Sequence, residues 1–221
     1  MTTTAWDKLG VWVLRPRVFI VFALLQALLI LFVDKPLAEF LNAQHLAQHF
    51  PWLLELTDLG KSEWYLVGLL LLALVYRWGF KNKSVEVRVW LLWFFLLISN
   101  SMCLLLKVVL GRARPQLWFS EHFYGFYGLH LSSNYWSFPS GHTTTITACA
   151  IGTAWLFPRY GWPLCVLAIM VVISRVVLLQ HYLTDVIMAA GLVLVEISIL
   201  NQWMKKNSAL GAWGVMREQT K

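Results

Sequence analysis

What most constrains this chain is a succession of apolar stretches, each close to the length of a bilayer crossing. A helix needs about 20 residues to traverse the hydrocarbon core. Six stretches approach that length: 14–33, 64–80, 88–108, 142–158, 163–181 and 185–203. None alternates apolar and polar residues as membrane-barrel strands do, so helices are expected. Composition excludes an ordinary soluble domain. With 59% of 221 residues hydrophobic, 13% charged and a mean hydropathy of +0.63, too few polar side chains remain to cover a water-facing surface. The expectation is all-α: a six-transmembrane-helix bundle forming one domain over 1–221. The first apolar run begins near Val18, behind Lys8, Arg15 and Arg17, and no small-residue cleavage site follows it. It reads as a retained helix rather than a signal peptide.

The net charge of +7 does not point to nucleic acid, because Lys and Arg are scattered through short loops between apolar spans. They read as topology signals. Lys8, Arg15 and Arg17 precede the first span; Arg77, Lys81, Lys83 and Arg88 follow the second. Arg159 follows the fourth, and Lys205, Lys206, Arg217 and Lys221 follow the sixth. These segments alternate correctly, so both termini are expected in the cytoplasm. The loop from Asp34 to Glu63 opposes them, with five acidic residues against Lys35 and Lys61. Leu37, Phe40 and Leu41 in that loop share one helix face and suit an interfacial position. Cys103, Cys149 and Cys165 lie in apolar runs without metal-ligand spacing, and no disulfide framework is expected.

Three polar clusters break the pattern. "KVVLGRARP" carries Lys107, Arg112, Arg114 and Pro115 at the end of the third span; "PSGH", Pro139 to His142, opens the fourth; "SRVVLLQHYLTD" runs from Ser174 to Asp185 after the fifth. The fourth and fifth spans are antiparallel, so topology alone brings all three clusters to the non-cytoplasmic side. Lys107, Arg114 and Arg175 are converging cations suited to phosphate. Ser140 and Gly141 precede a helix N-terminus, where free N–H groups and the dipole favour an anion. His181 and Asp185, four residues apart, share a face if the helix runs through them, and a carboxylate can fix an imidazole in one tautomer. Two histidines beside a phosphate seat suggest division of labour, one attacking phosphorus and the other protonating the leaving oxygen. Taken singly, each cluster has a plainer reading. Lys107 would be an interfacial anchor, "PSGH" a helix cap, His181 and Asp185 a pair at a helix end, and Arg112 a loop charge that nothing in the pattern requires. Arg175, flanked by apolar residues, is harder to explain without a partner.

Together the clusters resemble the signature of the type 2 phosphatidic acid phosphatase (PAP2) superfamily: Lys, six residues, Arg-Pro; Pro-Ser-Gly-His; Ser-Arg, five residues, His, three residues, Asp. Lys107, Arg114 and Pro115, then Pro139 to His142, then Ser174, Arg175, His181 and Asp185 meet it. The resemblance implies a metal-independent, cofactor-free phosphatase working through a phosphohistidine. His181 would be the nucleophile, Asp185 its orienting carboxylate and His142 the general acid and then base. Lys107, Arg114, Arg175, Ser140 and the Gly141 backbone would bind phosphate. The aromatic segment "QLWFSEHFYGFYGLHLSSNYWSF" between the first two motifs suits the headgroup region. A lipid phosphate is therefore the expected substrate and membrane lipids the surroundings. Candidates are phosphatidylglycerophosphate, phosphatidic acid, undecaprenyl pyrophosphate and lipid A. The compact form suggests a bacterial inner membrane with the site facing the periplasm. A lipid phosphotransferase shares the same motifs. A transporter predicts polar residues through the middle of several spans, and a non-catalytic lipid binder predicts loss of the histidines; neither pattern is present. Glu196, about 16 Å along a helix from Asp185, is expected to play a structural role, protonated or paired with Asn100 or Ser101.

Overall fold

In the computed structural model, which describes residues 5–207, helices account for nearly all regular structure, and only isolated bridges represent β-structure among the described residues. The order is α1 (Ala5–Val13), α2 (Pro16–Phe32), α3 (Asp34–Ala43), α4 (Leu46–His49), α5 (Trp52–Asp58), α6 (Ser62–Val75), a π-helical turn Tyr76–Phe80, α7 (Lys83–Leu110), α8 (Pro115–Glu121), α9 (Gly141–Leu156), α10 (Pro158–Val177) and α11 (Leu183–Lys206). Local chemistry sets several boundaries. Pro16, Pro115 and Pro158 open their helices where a missing N–H costs nothing. Asn82 caps α7 by accepting from Val85 N at 3.2 Å. Gly111 ends α7 with φ +54°, and a Cβ there would fall 1.9 Å from Gly128 O, so only glycine fits.

The chain is an integral membrane protein by its apolar helices. The segment Ser62–Phe80 and helices α7, α10 and α11 are long and apolar enough to cross a bilayer, and α1 with α2, bent by 67°, make a fifth candidate. The stretch 142–158 becomes α9, which has 16 residues and a length of about 24 Å. That is short of a full crossing, and α9 is also the most enclosed helix, with every residue from Thr143 to Ala150 buried. Leu92, Phe95 and Leu96 of α7 meet Ala148 and Cys149 of α9 and Val193 and Ile197 of α11. Ile146 and Ala150 meet Ala168 and Val171 of α10. Because α9 is covered on all sides, it shows no single apolar stripe. Two of its hydroxyls find acceptors, Thr144 Oγ1 donating to Ser140 O at 3.0 Å and Thr145 Oγ1 to Asn100 Oδ1 of α7 at 2.8 Å. The count of six crossings and the cytoplasmic termini stay expectations; Arg217 and Lys221, two of the charges behind that sidedness, lie outside the described residues.

The two ends of the bundle differ. At one, α1 lies along the C-terminal half of α11: Gly10 approaches Ser198, Asn201 Nδ2 donates to Asp7 Oδ1 at 3.1 Å, and Lys205 pairs with Asp7. Between the ends, Glu196 accepts from Ser99 Oγ, a different partner from the Asn100 or Ser101 expected. At the other end the C-termini of α7 and α10 meet the N-termini of α9 and α11, as the order of the motifs requires. The segment 111–140 folds back over that end, with Ala113 N donating to Gly125 O and Ser137 N to Arg112 O, both at 3.1 Å.

Candidate active site

A cavity of about 720 Å³ opens at this end, and its walls include Lys107, Arg114, Gly141, His142, Arg175 and His181. Six of the eight residues singled out in the sequence therefore share one space. The other two, Ser140 and Asp185, lie fully buried behind it. Ser140 is the N-cap of α9: its hydroxyl accepts from Thr143 N at 3.4 Å, and its own N–H donates to Asp185 O at 3.1 Å. Its side chain serves the helix, while the first turn of α9 presents Gly141 and His142 to the cavity.

Each cation is held from behind. Lys107 Nζ donates to Trp136 O at 2.7 Å, and its stem passes over Gly141. Arg114 Nε donates to Ser133 O at 3.0 Å. Arg175 NH1 donates to Thr57 Oγ1 at 2.8 Å, which brings α5 into the site. Leu54, Asp58, Gly60 and Lys61 continue that wall. Gly60 lies against His142, and a Cβ on it would stand 2.7 Å from His142 Cβ. Asp58 and Lys61 pair at the rim at 2.7 Å.

His181 does not lie on the helix with Asp185. It sits in the loop between α10 and α11, two residues ahead of α11, and Asp185 is in the first turn of α11. Asp185 Oδ2 caps that helix by accepting from Tyr182 N at 2.8 Å. The two side chains still meet, with His181 Nδ1 3.5 Å from Asp185 Oδ2, but the nearer partner of Nδ1 is Ser137 O at 2.7 Å. Two oxygen acceptors against Nδ1 require the proton to be there. The tautomer is thus assigned by its partners, and Nε2 carries the lone pair. Burial, reinforced by Lys107, Arg175 and Arg114, holds the His181 imidazole well below its ordinary pKa. The ring is neutral near pH 7.

Behind Asp185 lies a group the sequence reading missed. Arg112, expected as a loop charge, is fully buried. Its NH1 donates to Asp185 Oδ1 at 2.5 Å and Thr184 Oγ1 at 2.6 Å, and NH2 donates to Asp34 Oδ2 at 2.6 Å. Thr184 Oγ1 also donates to Asp34 Oδ2, and Thr184 N to Asp34 Oδ1 at 3.1 Å. Burial opposes the Arg112 charge, but Asp185 and Asp34 outweigh it and hold the guanidinium above its ordinary pKa. Tyr182, Phe126, Tyr124 and Phe138 surround it with ring centroids 4.5 to 5.9 Å away. Tyr124, Phe126 and Phe138 of this cage come from the aromatic segment expected at the headgroups, while Phe123, Tyr127, Leu129 and Leu131 of the same segment stay exposed. Ser137 Oγ completes the shell by donating to Asp185 Oδ2 at 2.5 Å. One signal for Arg112 was available. Asp34 ends an apolar run, and an acid at such a border calls for a partner.

The arrangement can place an anion among three cations, next to one imidazole with a free lone pair and a second imidazole at a helix N-terminus. The PAP2 superfamily model matches residues 88–209. A lipid A 1-phosphatase from Rhizobium johnstonii is 36% identical over 147 residues, 62% of this chain and 59% of that protein. One of the same name from Rhizobium etli is 34% identical over 147 residues, 62% of each chain. These alignments thus span about three fifths of the relatives' length. A crystal structure of a transmembrane PAP2-type phosphatidylglycerolphosphate phosphatase from Bacillus subtilis is 19% identical with a TM-score of 0.48, covering 91% of this chain and 92% of that one.

Proposed function

Since the chain belongs to the PAP2 superfamily, we propose that it is a membrane-embedded phosphatase that hydrolyses a lipid phosphate through a phosphohistidine on His181. The observation that carries this reading is the engagement of His181 Nδ1 by Ser137 O and Asp185, which leaves Nε2 as the nucleophilic nitrogen on a cavity shared with Lys107, Arg114 and Arg175. Nε2 attacks phosphorus, the bond from phosphorus to the lipid oxygen breaks, and His142 gives that oxygen its proton. Burial and then Arg175 hold the pKa of the His142 imidazole down to about 4 in the free protein, so it takes up this proton with the phosphate dianion, whose charge offsets Arg175. Neutral His142 then takes a proton from water, whose oxygen attacks phosphorus and expels Nε2, releasing inorganic phosphate. Lys107, Arg114 and Arg175 stabilise the charge spread over the equatorial oxygens, and the first N–H groups of α9 add to them. Asp185 stabilises the ring as it becomes cationic. No step calls for a metal.

Leu54 and Leu104 in the cavity wall supply an apolar flank for an acyl chain, which favours a lipid over a soluble ester. Among lipid phosphates, the name shared by the two Rhizobium relatives favours the 1-phosphate of lipid A. The enzyme would then work in a bacterial inner membrane, with its site towards the periplasm.

The test is phosphate release by detergent-purified protein from lipid A, phosphatidylglycerophosphate, phosphatidic acid and undecaprenyl pyrophosphate, with EDTA present. Turnover that survives EDTA and falls at least about 10³-fold in His181→Ala supports the mechanism. Activity lost to EDTA, or kept by the variant, overturns it. Phosphate transferred to an added lipid alcohol, without release to water, would make the enzyme a phosphotransferase.

A further inference from the structure

We infer that Asp34, at the junction of α2 and α3, is a positioning residue for His181 that acts through Arg112 and Asp185. The inference rests on the phosphatase reading above and goes beyond it, because Asp34 lies outside the residues that the family model matches. The connection is continuous. Asp34 accepts from Arg112 NH2 at 2.6 Å, Arg112 NH1 donates to Asp185 at 2.5 Å, and Asp185 faces His181 Nδ1. Every member is at least 95% buried, with exposures of 1%, 0%, 0% and 2% in that order.

Asp34 contributes in two ways. It holds the far prong of the guanidinium, so that the near prong can meet Asp185 Oδ1 in a fixed geometry; a lone lysine could not bridge both carboxylates. It also accepts from both donors of Thr184, the residue next to Asp185, and so fixes the backbone that carries the carboxylate. Asp185 is thereby held from its side chain and from its main chain. Charge points the same way, because the Arg112 guanidinium is shared between the two carboxylates. Without Asp34 the guanidinium belongs to Asp185 alone and draws its negative charge away from the imidazole.

The experiment is a double-mutant cycle on the full chain in detergent, with Asp34→Asn, Arg112→Lys and both together. It reads kcat on the best lipid phosphate and Ki for inorganic phosphate, after a folding check by size exclusion and thermal unfolding. If Asp34 acts through Arg112, each single variant lowers kcat about tenfold, the double variant is no worse than the poorer single, and Ki stays within about twofold because the phosphate-binding cations are untouched. Asp34→Glu, which keeps the charge, recovers part of the loss. Losses that multiply in the double variant overturn the inference. So does kcat within about twofold of wild type in Asp34→Asn, or a parallel loss of kcat, Ki and thermal stability. Variants that never fold overturn it too, since the pair would then be structural. A wild type silent on every lipid phosphate would overturn the phosphatase reading itself; an active wild type indifferent to Asp34→Asn removes only the positioning role.

Discussion

The ring of His181 is oriented by a backbone carbonyl: Ser137 O stands 2.7 Å from Nδ1, while the Asp185 carboxylate is 3.5 Å away. A carbonyl cannot be protonated near neutrality and cannot donate, so it fixes the Nδ1–H tautomer whatever happens to Asp185. Asp185→Asn should therefore leave the His181 tautomer in place, and lose the charge that stabilises the imidazolium together with the bonds its amide nitrogen cannot accept from Arg112 or from Ser137 and Tyr182 N. The expected loss is about 10²-fold in kcat, well short of that in His181→Ala. Single-turnover phosphate release from both variants measures the gap, and equal losses would refute the carbonyl's role.

The depressed pKa of His181 sets a pH dependence. If the neutral ring is the nucleophile as proposed, activity disappears as pH falls through the pKa in the folded protein, which burial and the surrounding cations place below the ordinary 6.5. The acid limb of kcat/KM should lie below that value. A limb at or above it would mean that the free enzyme does not hold His181 neutral.

Thr57 reaches into the site only to accept from Arg175 NH1 at 2.8 Å. Thr57→Val keeps the shape and removes the acceptor, leaving that donor of Arg175 without its protein partner. The expected cost is about 1 kcal/mol, or about fivefold in kcat/KM. Thermal unfolding with and without inorganic phosphate would separate weakened anion binding from a loss of fold.

Gly60 is pressed against His142, so any side chain there must displace the imidazole. Gly60→Ala should lower kcat about tenfold or more, while Ki for inorganic phosphate changes little, because the cations lie on other elements. An unchanged kcat would show that His142 shifts freely and is not held in place for proton transfer.

Glu196 donates nothing to the cavity; it accepts from Ser99 between α11 and α7. Glu196→Gln keeps a hydrogen-bonding partner and should leave kcat within about twofold, with a stability change of about 1 kcal/mol or less. A large kcat loss would give Glu196 a role beyond helix pairing.

The sequence made the cavity-lining cations and histidines legible because their chemistry is unusual in an apolar chain: such residues at span ends have few other uses. It also made the shared end of α7, α9, α10 and α11 legible, since antiparallel order dictates which termini meet. Arg112 and Asp34 were not legible in the same way. Seventy-eight positions separate them, and only the packing of α3 against the loop at 111–114 turns a stray loop charge and an interfacial acid into a buried pair. The His181–Asp185 spacing suggested one continuous helix, but the capping bond from Tyr182 N to Asp185 starts α11 at Leu183, and the loop delivers His181 instead. Thr57 and Gly60 escaped because neither residue type signals a site unless its neighbour is known.

The two ends of the bundle carry a further meaning. One end is closed by the Asp7–Lys205 pair and the packing of α1 on α11, while the other opens into the cationic cavity. If the chain hydrolyses a lipid phosphate as proposed, it distinguishes leaflets as well as head groups: a phosphorylated lipid in the monolayer that borders the cavity would be processed, and the same lipid in the opposite monolayer would be out of reach until translocated. Its turnover would then report on lipid asymmetry, with the supply of substrate gated by whatever moves lipids from one monolayer to the other.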